Sequence, residues 1–272
     1  MRKLSYPGRS NVLAQNGMVA TSNPLSSMVA INVLQKGGNA VDAAIAASAV
    51  QAVVCPSATG IGGDCFAIIS MNGKKPIAVN GSGIAPKRAN LQFYKDNKIK
   101  NIGLTSPHSV TIPGAVHAWC SMHEKFGRID FKEVLSGAEN FARRGFPVHE
   151  VEAIAWKENE KKLKKNPNSK RLFLNQNLSY SYGEVFKNIP LANTLRVISK
   201  NKIKGFYQSE ITKDMVKTLN KLGGLHTEED FYNQKTLFSK TITNSYRNLN
   251  IHQCPLNSPG LVVLMMMAMT EK

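Results

Sequence analysis

Two glycine-rich turns carry the residues with the clearest chemical potential. The first is Asn80-Gly81-Ser82-Gly83-Ile84-Ala85-Pro86. It combines short hydrogen-bonding side chains with glycines, which let a ligand approach the backbone closely. Successive N–H groups in a loop of this kind can cradle an anion or a substrate carboxylate, and the alternative is a plain connecting loop. Asn80, Gly81 and Ser82 are the candidate substrate-binding residues. The second turn is Gly60-Ile61-Gly62-Gly63-Asp64. It has the composition of a phosphate loop, but it runs into a strand rather than a helix. It also ends in an acid that repels phosphate, so nucleotide binding is not expected. His108, His117 and His123 do not have the i,i+4 spacing of a metal-binding pair. Cys55, Cys65, Cys120 and Cys254 lie far apart with no C-x-x-C spacing. Neither a zinc site nor a disulfide framework is expected from these residues, and no cofactor or metal.

The net charge of +17 is spread thinly, with one concentration from Lys157 to Arg171. No interleaved aromatic residues, zinc finger or RNA-binding motif accompanies it, so nucleic acid is not an expected partner. Glu158, Glu160 and Pro167 within it fit a solvated helix end and loop, or a docking face for an acidic segment. The first thirteen residues have no apolar stretch of signal-peptide type, and no run of eighteen apolar residues occurs. The expectation is a cytoplasmic, membrane-free protein, with residues 1–272 forming one domain.

These candidates need elements to hold them. Ala40 to Val54 is nearly all Ala, Val and Ile, so the helix it predicts is apolar all round and must be buried. Gly37-Gly38 stops the preceding helix, Asn39 caps this one with Asp42 in its first turn, and Cys55-Pro56 ends it. Asn23-Pro24 starts the helix before it. Asn11 to Ala20 predicts a lead-in strand around an Asn16-Gly17 turn. Cys65 to Ser70 and Pro76 to Val79 predict a hairpin about Asn72-Gly73, with the first strand apolar enough to be buried on both faces. Ser109 to Ile112 predicts a short strand, followed by a helix from Ala115 to Lys125. Asp130 and Glu133 form a capping-box-like pair opening a helix that buries Leu135, Ala138 and Ala142. Residues 151–165, 191–200 and 214–222 predict further helices, Ser239 to Ile251 an extended segment, and Leu261 to Met269 a Met-rich core helix.

Several strings occur in a telling order: Gly17-Met18-Val19-Ala20-Thr21-Ser22, Gly37-Gly38-Asn39-Ala40-Val41-Asp42-Ala43-Ala44, Gly60-Ile61-Gly62-Gly63-Asp64, Ile112-Pro113-Gly114, and Phe126-Gly127-Arg128 through Arg144-Gly145-Phe146-Pro147-Val148. Together they resemble the N-terminal part of the gamma-glutamyltransferase family of N-terminal-nucleophile hydrolases, from about Asn11 to Lys272. The resemblance implies an α+β fold, the αββα sandwich of that class, of which this sequence resembles the large-subunit portion. It implies a precursor that cuts itself before a threonine. That threonine then attacks an amide, with its own α-amine as base, through an acyl-enzyme and an oxyanion. It also implies a small subunit cut from the same precursor as partner, and pairing of two such heterodimers.

The processing threonine is expected beyond residue 272, because no Thr-Thr-His-like string occurs in the sequence, so no catalytic residue is assigned within it. Transpeptidases of the family place an arginine on the substrate's α-carboxylate just before an Ala-Pro pair. Counted back from Ala85-Pro86, that position is Ser82, which cannot supply a permanently charged, bidentate fork. The Asn80 to Gly83 loop resembles instead the oxamate-amidohydrolase-like and cephalosporin-acylase-like branch. The loop Cys254-Pro255-Leu256-Asn257-Ser258-Pro259-Gly260 is also altered from the family pattern. The leading expectation is hydrolysis of a small dicarboxylic-acid amide such as oxamate. The alternatives are a hydrolase or transferase of glutathione-like γ-glutamyl amides, with Lys87 or Arg88 as the carboxylate-binding cation, and a non-catalytic binding subunit.

Overall fold

The computed structural model describes residues 11–271. Helix α1 (Pro24–Gln35) begins as expected, with the Asn23 side chain accepting from Leu25 N and Pro24 at the first position. Helix α2 (Ala40–Val54) carries a full capping box: Asn39 Oδ1 accepts from Val41 N and Asp42 N, and Asp42 Oδ2 from Asn39 N. It is buried nearly all round and lies between α1 and α5 (Phe131–Arg144). Burial of Ile45, Val50, Val53 and Val54 stabilises the fold by about 1.5–3 kcal/mol per side chain. Helices α4 (Ala115–Phe126) and α8 (Ile189–Tyr207) close the core with Trp119, Leu195 and Ile198. Between α2 and α4 lie β1 (Cys65–Ile69), β2 (Ile77–Gly81) and the short α3 (Leu91–Asp96).

Strand β3 (Phe146–Pro147) pairs with β6 (Val185–Phe186) beneath α6 (Glu150–Leu163). Helix α7 (Pro167–Phe173) leads into the small hairpin β4 (Leu174–Asn175) and β5 (Leu178–Ser179). Then follow α9 (Glu210–Lys221), α10 (Glu228–Tyr232), β7 (Leu237–Lys240), β8 (Ile242–Tyr246), β9 (Leu249–Gln253) and α11 (Gly260–Thr270). The main sheet is antiparallel, in the order β1-β2-β7. Cross-strand partners share a face. Cys65, Ala67, Val79 and Phe238 therefore face the helical core, while Phe66, Ile68 and Asn80 lie on the other face.

Several expectations need correction. Asn11 to Ala20 forms no strand: no strand lies alongside it among the described residues, and an unpaired strand has nothing to satisfy its backbone. Ser109 to Ile112 is not a strand either. Pro107–Ser109 is a 3₁₀ turn, and Ile112 N makes a single bond to Ile84 O. Strand β1 is not buried on both faces, since Phe66 is 36% and Ile68 41% exposed. Asp130 caps α5 through Lys132 N, but Glu133 pairs with Lys36 instead of completing the box. The extended segment 239–251 breaks into β7 and a β8–β9 hairpin whose turn residues Arg247 and Asn248 have φ of 47° and 64°. The Met-rich helix exists, but only Gly260 and Leu264 are buried in it, so it is no core helix here. Helix α7 was not expected. Asn166 and Pro167 give it an ordinary start, in a stretch whose charge reads as loop.

Candidate functional site

The Asn80 loop leaves the end of β2 and is held from every side. Asn80 Oδ1 accepts from Ser82 N at 3.0 Å and Ser82 Oγ at 2.8 Å. Gly83 N donates to Asp64 Oδ1 at 2.9 Å, and Ile84 N to Gln234 Oε1 at 3.2 Å. Gln234 Nε2 donates back to Ser82 O at 3.0 Å. Lys87 N donates to Asp230 Oδ1 at 2.9 Å. Burial pushes the Asp230 carboxyl up, but its bonds from Lys87 and Thr227 outweigh this and hold it below the usual carboxylate range.

Two glycines permit this closeness. A Cβ on Gly83 would lie 1.8 Å from Ile112 O, and one on Gly114 would lie 2.1 Å from Gly81 O. The loop is therefore wedged against the Ile112-Pro113-Gly114 turn rather than flexible. The expected backbone anion cradle has little backbone left to work with. The N–H groups of Ser82, Gly83 and Ile84 are already bonded to Asn80, Asp64 and Gln234, so none is free for a ligand.

What the loop does present is side chains. Asn80 Nδ2 donates to Asn257 Oδ1 at 2.8 Å, and Asn257 Nδ2 donates to Ser82 Oγ at 3.0 Å. Asn80, Ser82 and Asn257 thus make a neutral, half-open cluster on the β1–β2 face that carries Phe66 and Ile68. Cys254 lies over the same sheet, with Sγ 3.4 Å from Ala67 O. Asn257 and Gln234 were missed by sequence reasoning. Asn257 had a signal, the altered loop from Cys254 to Gly260; Gln234 had none. Gly81 contributes space rather than contact, its Cα facing Ala118 in α4.

No cysteine is a ready nucleophile. Burial pushes the Cys65 thiol up to about 11, reinforced by Cys254 and Asp64, and Cys120 up to about 12. Burial raises Cys55 and Cys254 too. His117 is held by Tyr207, Thr236 and Ser121, and burial lowers its pKa. Neither His108, His117 nor His123 comes to the Asn80 loop. Lys87 and Arg88 are exposed and make no ion pair among the described residues. One cluster escaped the spacing argument altogether: Cys55, His149 and Glu152 meet, although about a hundred residues separate Cys55 from the other two.

The glycine strings join one another. Asn39 Nδ2 donates to Phe126 O at 2.5 Å, and Arg128 N donates to Asp42 Oδ2 at 3.0 Å. Gly114 N and Ala115 N both donate to Gly63 O. This mixed α and β architecture is that of the N-terminal-nucleophile hydrolases. It superposes on Helicobacter pylori gamma-glutamyltranspeptidase with a TM-score of 0.87 at 30% identity, over 92% of this chain and 73% of that one. It superposes on the cephalosporin acylase of Bacillus halodurans with a TM-score of 0.86 at 31% identity, over 93% of this chain and 48% of that one. The sequence profile of the Gamma-glutamyltranspeptidase family matches residues 26–272. The chain belongs to that family. It is 31% identical over 263 residues to the glutathione hydrolase-like YwrD proenzyme of Bacillus subtilis, covering 96% of this chain and 50% of that protein. It is 30% identical over 253 residues to the glutathione hydrolase proenzyme of Escherichia coli, covering 92% of this chain and 44% of that protein. The chain spans about half the length of the curated relatives it matches.

Proposed function

We propose that this chain is the N-terminal portion of an autoprocessed amidohydrolase. Its threonine nucleophile and oxyanion donors are contributed by residues outside this sequence, and it acts on small amides in preference to γ-glutamyl transfer. The observation that carries the preference is Ser82 at the position of the family's carboxylate-gripping arginine. Its hydroxyl is bound to Asn80 and Asn257, and no cation among the described residues takes part in the cluster. A neutral cluster of this kind holds an amide or a carbonyl through single hydrogen bonds, and forgoes the charge-assisted bidentate pair that an arginine makes with a carboxylate.

Two features support a second chain segment as partner. A groove of about 550 Å³, lined by Ala44, Ile45, Ile68, Trp119 and Met122 among others, runs between α2 and β1. Phe66 and Ile68 present an apolar strand face beside it, as the inner face of a two-sheet sandwich requires. The small subunit of the same precursor is the proposed occupant, and pairing of two such heterodimers is the proposed assembly. All four cysteines are free, which supports residence in a reducing compartment such as the cytoplasm. No helix among the described residues is long and apolar enough to cross a membrane.

The names of the relatives favour a second reading, a γ-glutamyl hydrolase acting on glutathione-like amides, with exposed Lys87 or Arg88 holding the carboxylate. The full-length protein separates the two when assayed on oxamate and on γ-glutamyl-p-nitroanilide. Ammonia release from oxamate with a higher kcat/KM than anilide cleavage is expected. Strong anilide turnover, together with a large rise in KM in the Lys87→Ala/Arg88→Ala double variant, would establish the second reading instead.

A further inference from the structure

The C-terminal end of α2 and the N-terminal end of α6 meet at a cluster that the proposed reaction does not use. Cys55 is the C-cap of α2, and His149 is the N-cap of α6 without a side-chain capping bond, so its imidazole is free for other work. Glu152 sits in the first turn of α6. Cys55 Sγ lies 3.8 Å from His149 Nε2, and the ligand atoms of all three side chains fall within 4.8 Å of one another.

Glu152 is an unusual carboxylate. It is only 2% exposed, and no Lys or Arg pairs with it among the described residues. Its partners are Ser57 Oγ at 2.7 Å and Ser57 N at 3.3 Å. Buried carboxylates are ordinarily paired with a cation or bound to a metal.

We propose that Cys55, His149 and Glu152 form a site for a divalent cation of the zinc class. A thiolate, an imidazole and a carboxylate are the donor set that zinc takes. Zn–S and Zn–N bonds of about 2.3 and 2.0 Å at a tetrahedral angle place sulfur and nitrogen about 3.5 Å apart, near the 3.8 Å seen here. One thiolate and one carboxylate balance the two positive charges, so the buried cluster becomes neutral. On binding, the Cys55 S–H bond is replaced by an S–metal bond and the proton leaves to bulk water. Ser57, which donates to both oxygens of Glu152, then orients the carboxylate, and Asn23 Nδ2, 3.5 Å from Cys55 Sγ, donates to the sulfur. His149 is half-buried, which leaves an approach from solvent. Three protein ligands leave the fourth position for water. The site would staple the end of α2 to α6, immediately before the Gly60 to Asp64 turn.

The test uses the full-length protein, stripped of metal by chelator and titrated with zinc chloride and, separately, cobalt chloride. One equivalent of tight binding is expected, with a thiolate-to-cobalt charge-transfer band. Cys55→Ser should abolish that band and weaken zinc binding at least about 100-fold, and His149→Ala should weaken it at least about tenfold. Cys65→Ser, a thiol elsewhere, should change neither. Circular dichroism checks that each variant is folded. A wild-type protein that shows no cobalt–thiolate band overturns the site without recourse to any variant. So does zinc affinity that is the same in wild type, Cys55→Ser and His149→Ala.

Discussion

Asp42 shows how a single side chain organises this fold. It is fully buried and accepts from Asn39 N and Arg128 N, with His123 Nε2 3.8 Å from its other oxygen. It closes the start of α2 and at the same time fixes the Phe126-Gly127-Arg128 turn. Asp42→Ala removes the hydrogen bonds that a carboxylate accepts from Asn39 N and Arg128 N, and bonds to a charged group are worth about 1.5–3 kcal/mol each. We expect a stability loss of about 3 kcal/mol, read as a lower urea midpoint with an unchanged slope; a loss under about 1 kcal/mol would show that the turn re-forms its bonds elsewhere. Ser82 is the residue-scale counterpart in the candidate site. Because Asn257 bonds its hydroxyl, Asn257→Ala in the full-length enzyme should raise KM for the amide substrate with a smaller change in kcat. An unaltered KM would remove Asn257 from the site.

Among the elements, the loop after β2 and helix α6 each rest on a specific contact. Gly83→Ala drives a methyl group into Ile112 O. Overpacking against backbone costs about 1–3 kcal/mol, and the loop should shift away from Gly114, lowering both the melting temperature and the activity of the complete enzyme. Wild-type thermal stability in this variant would contradict the wedge. Helix α6 is tied to β5 by Glu160, whose carboxylate accepts from Lys164, Ser179 N and Ser179 Oγ. The Lys164 bond first, then the Ser179 bonds, hold its pKa down from 4.5 to about 2. A carboxylate with a depressed folded-state pKa stabilises above its unfolded value and loses that contribution as pH falls. The contribution should therefore fade between about pH 4.5 and pH 2. Glu160→Gln should flatten the acid limb of stability across that window, and an acid limb identical to wild type would refute the link. The same residue neutralises part of the Lys157 to Arg171 concentration, through Lys157 and Lys164.

Across the whole molecule, the main imbalance is the apolar surface of α11. Val262, Met265, Met266 and Met269 are 56%, 50%, 61% and 73% exposed, and the helix rests mainly on β8 and β9. A patch of this kind drives association. The 272-residue chain purified by itself should self-associate with rising concentration in sedimentation velocity and should show no amide hydrolysis. Met266→Lys/Met269→Lys should reduce the association. A monomer at all concentrations would mean that the face is tolerated in water, and turnover by this chain would place the nucleophile within it.

The sequence by itself determined the core elements and the family. A nearly all-apolar, Ala-rich stretch of this length reads as a buried helix, and Asn39 with Asp42 can close it by local bonds alone. Part of the glycine strings was legible because some of these glycines make close approaches, such as Gly114 against Gly81, that any larger residue blocks, whereas Gly60 and Gly62 meet nothing within 4 Å. Long-range pairing decided the rest. Whether residues 11–20 or 109–112 become strands depends on a partner edge that local propensity does not encode. The exposure of β1 and α11 depends on what lies across from them. The fate of the loop N–H groups depended on Asp64 and Gln234, remote in sequence, reaching the turn first. The meeting of Cys55 with His149 and Glu152 depended on two helix ends that only packing brings together.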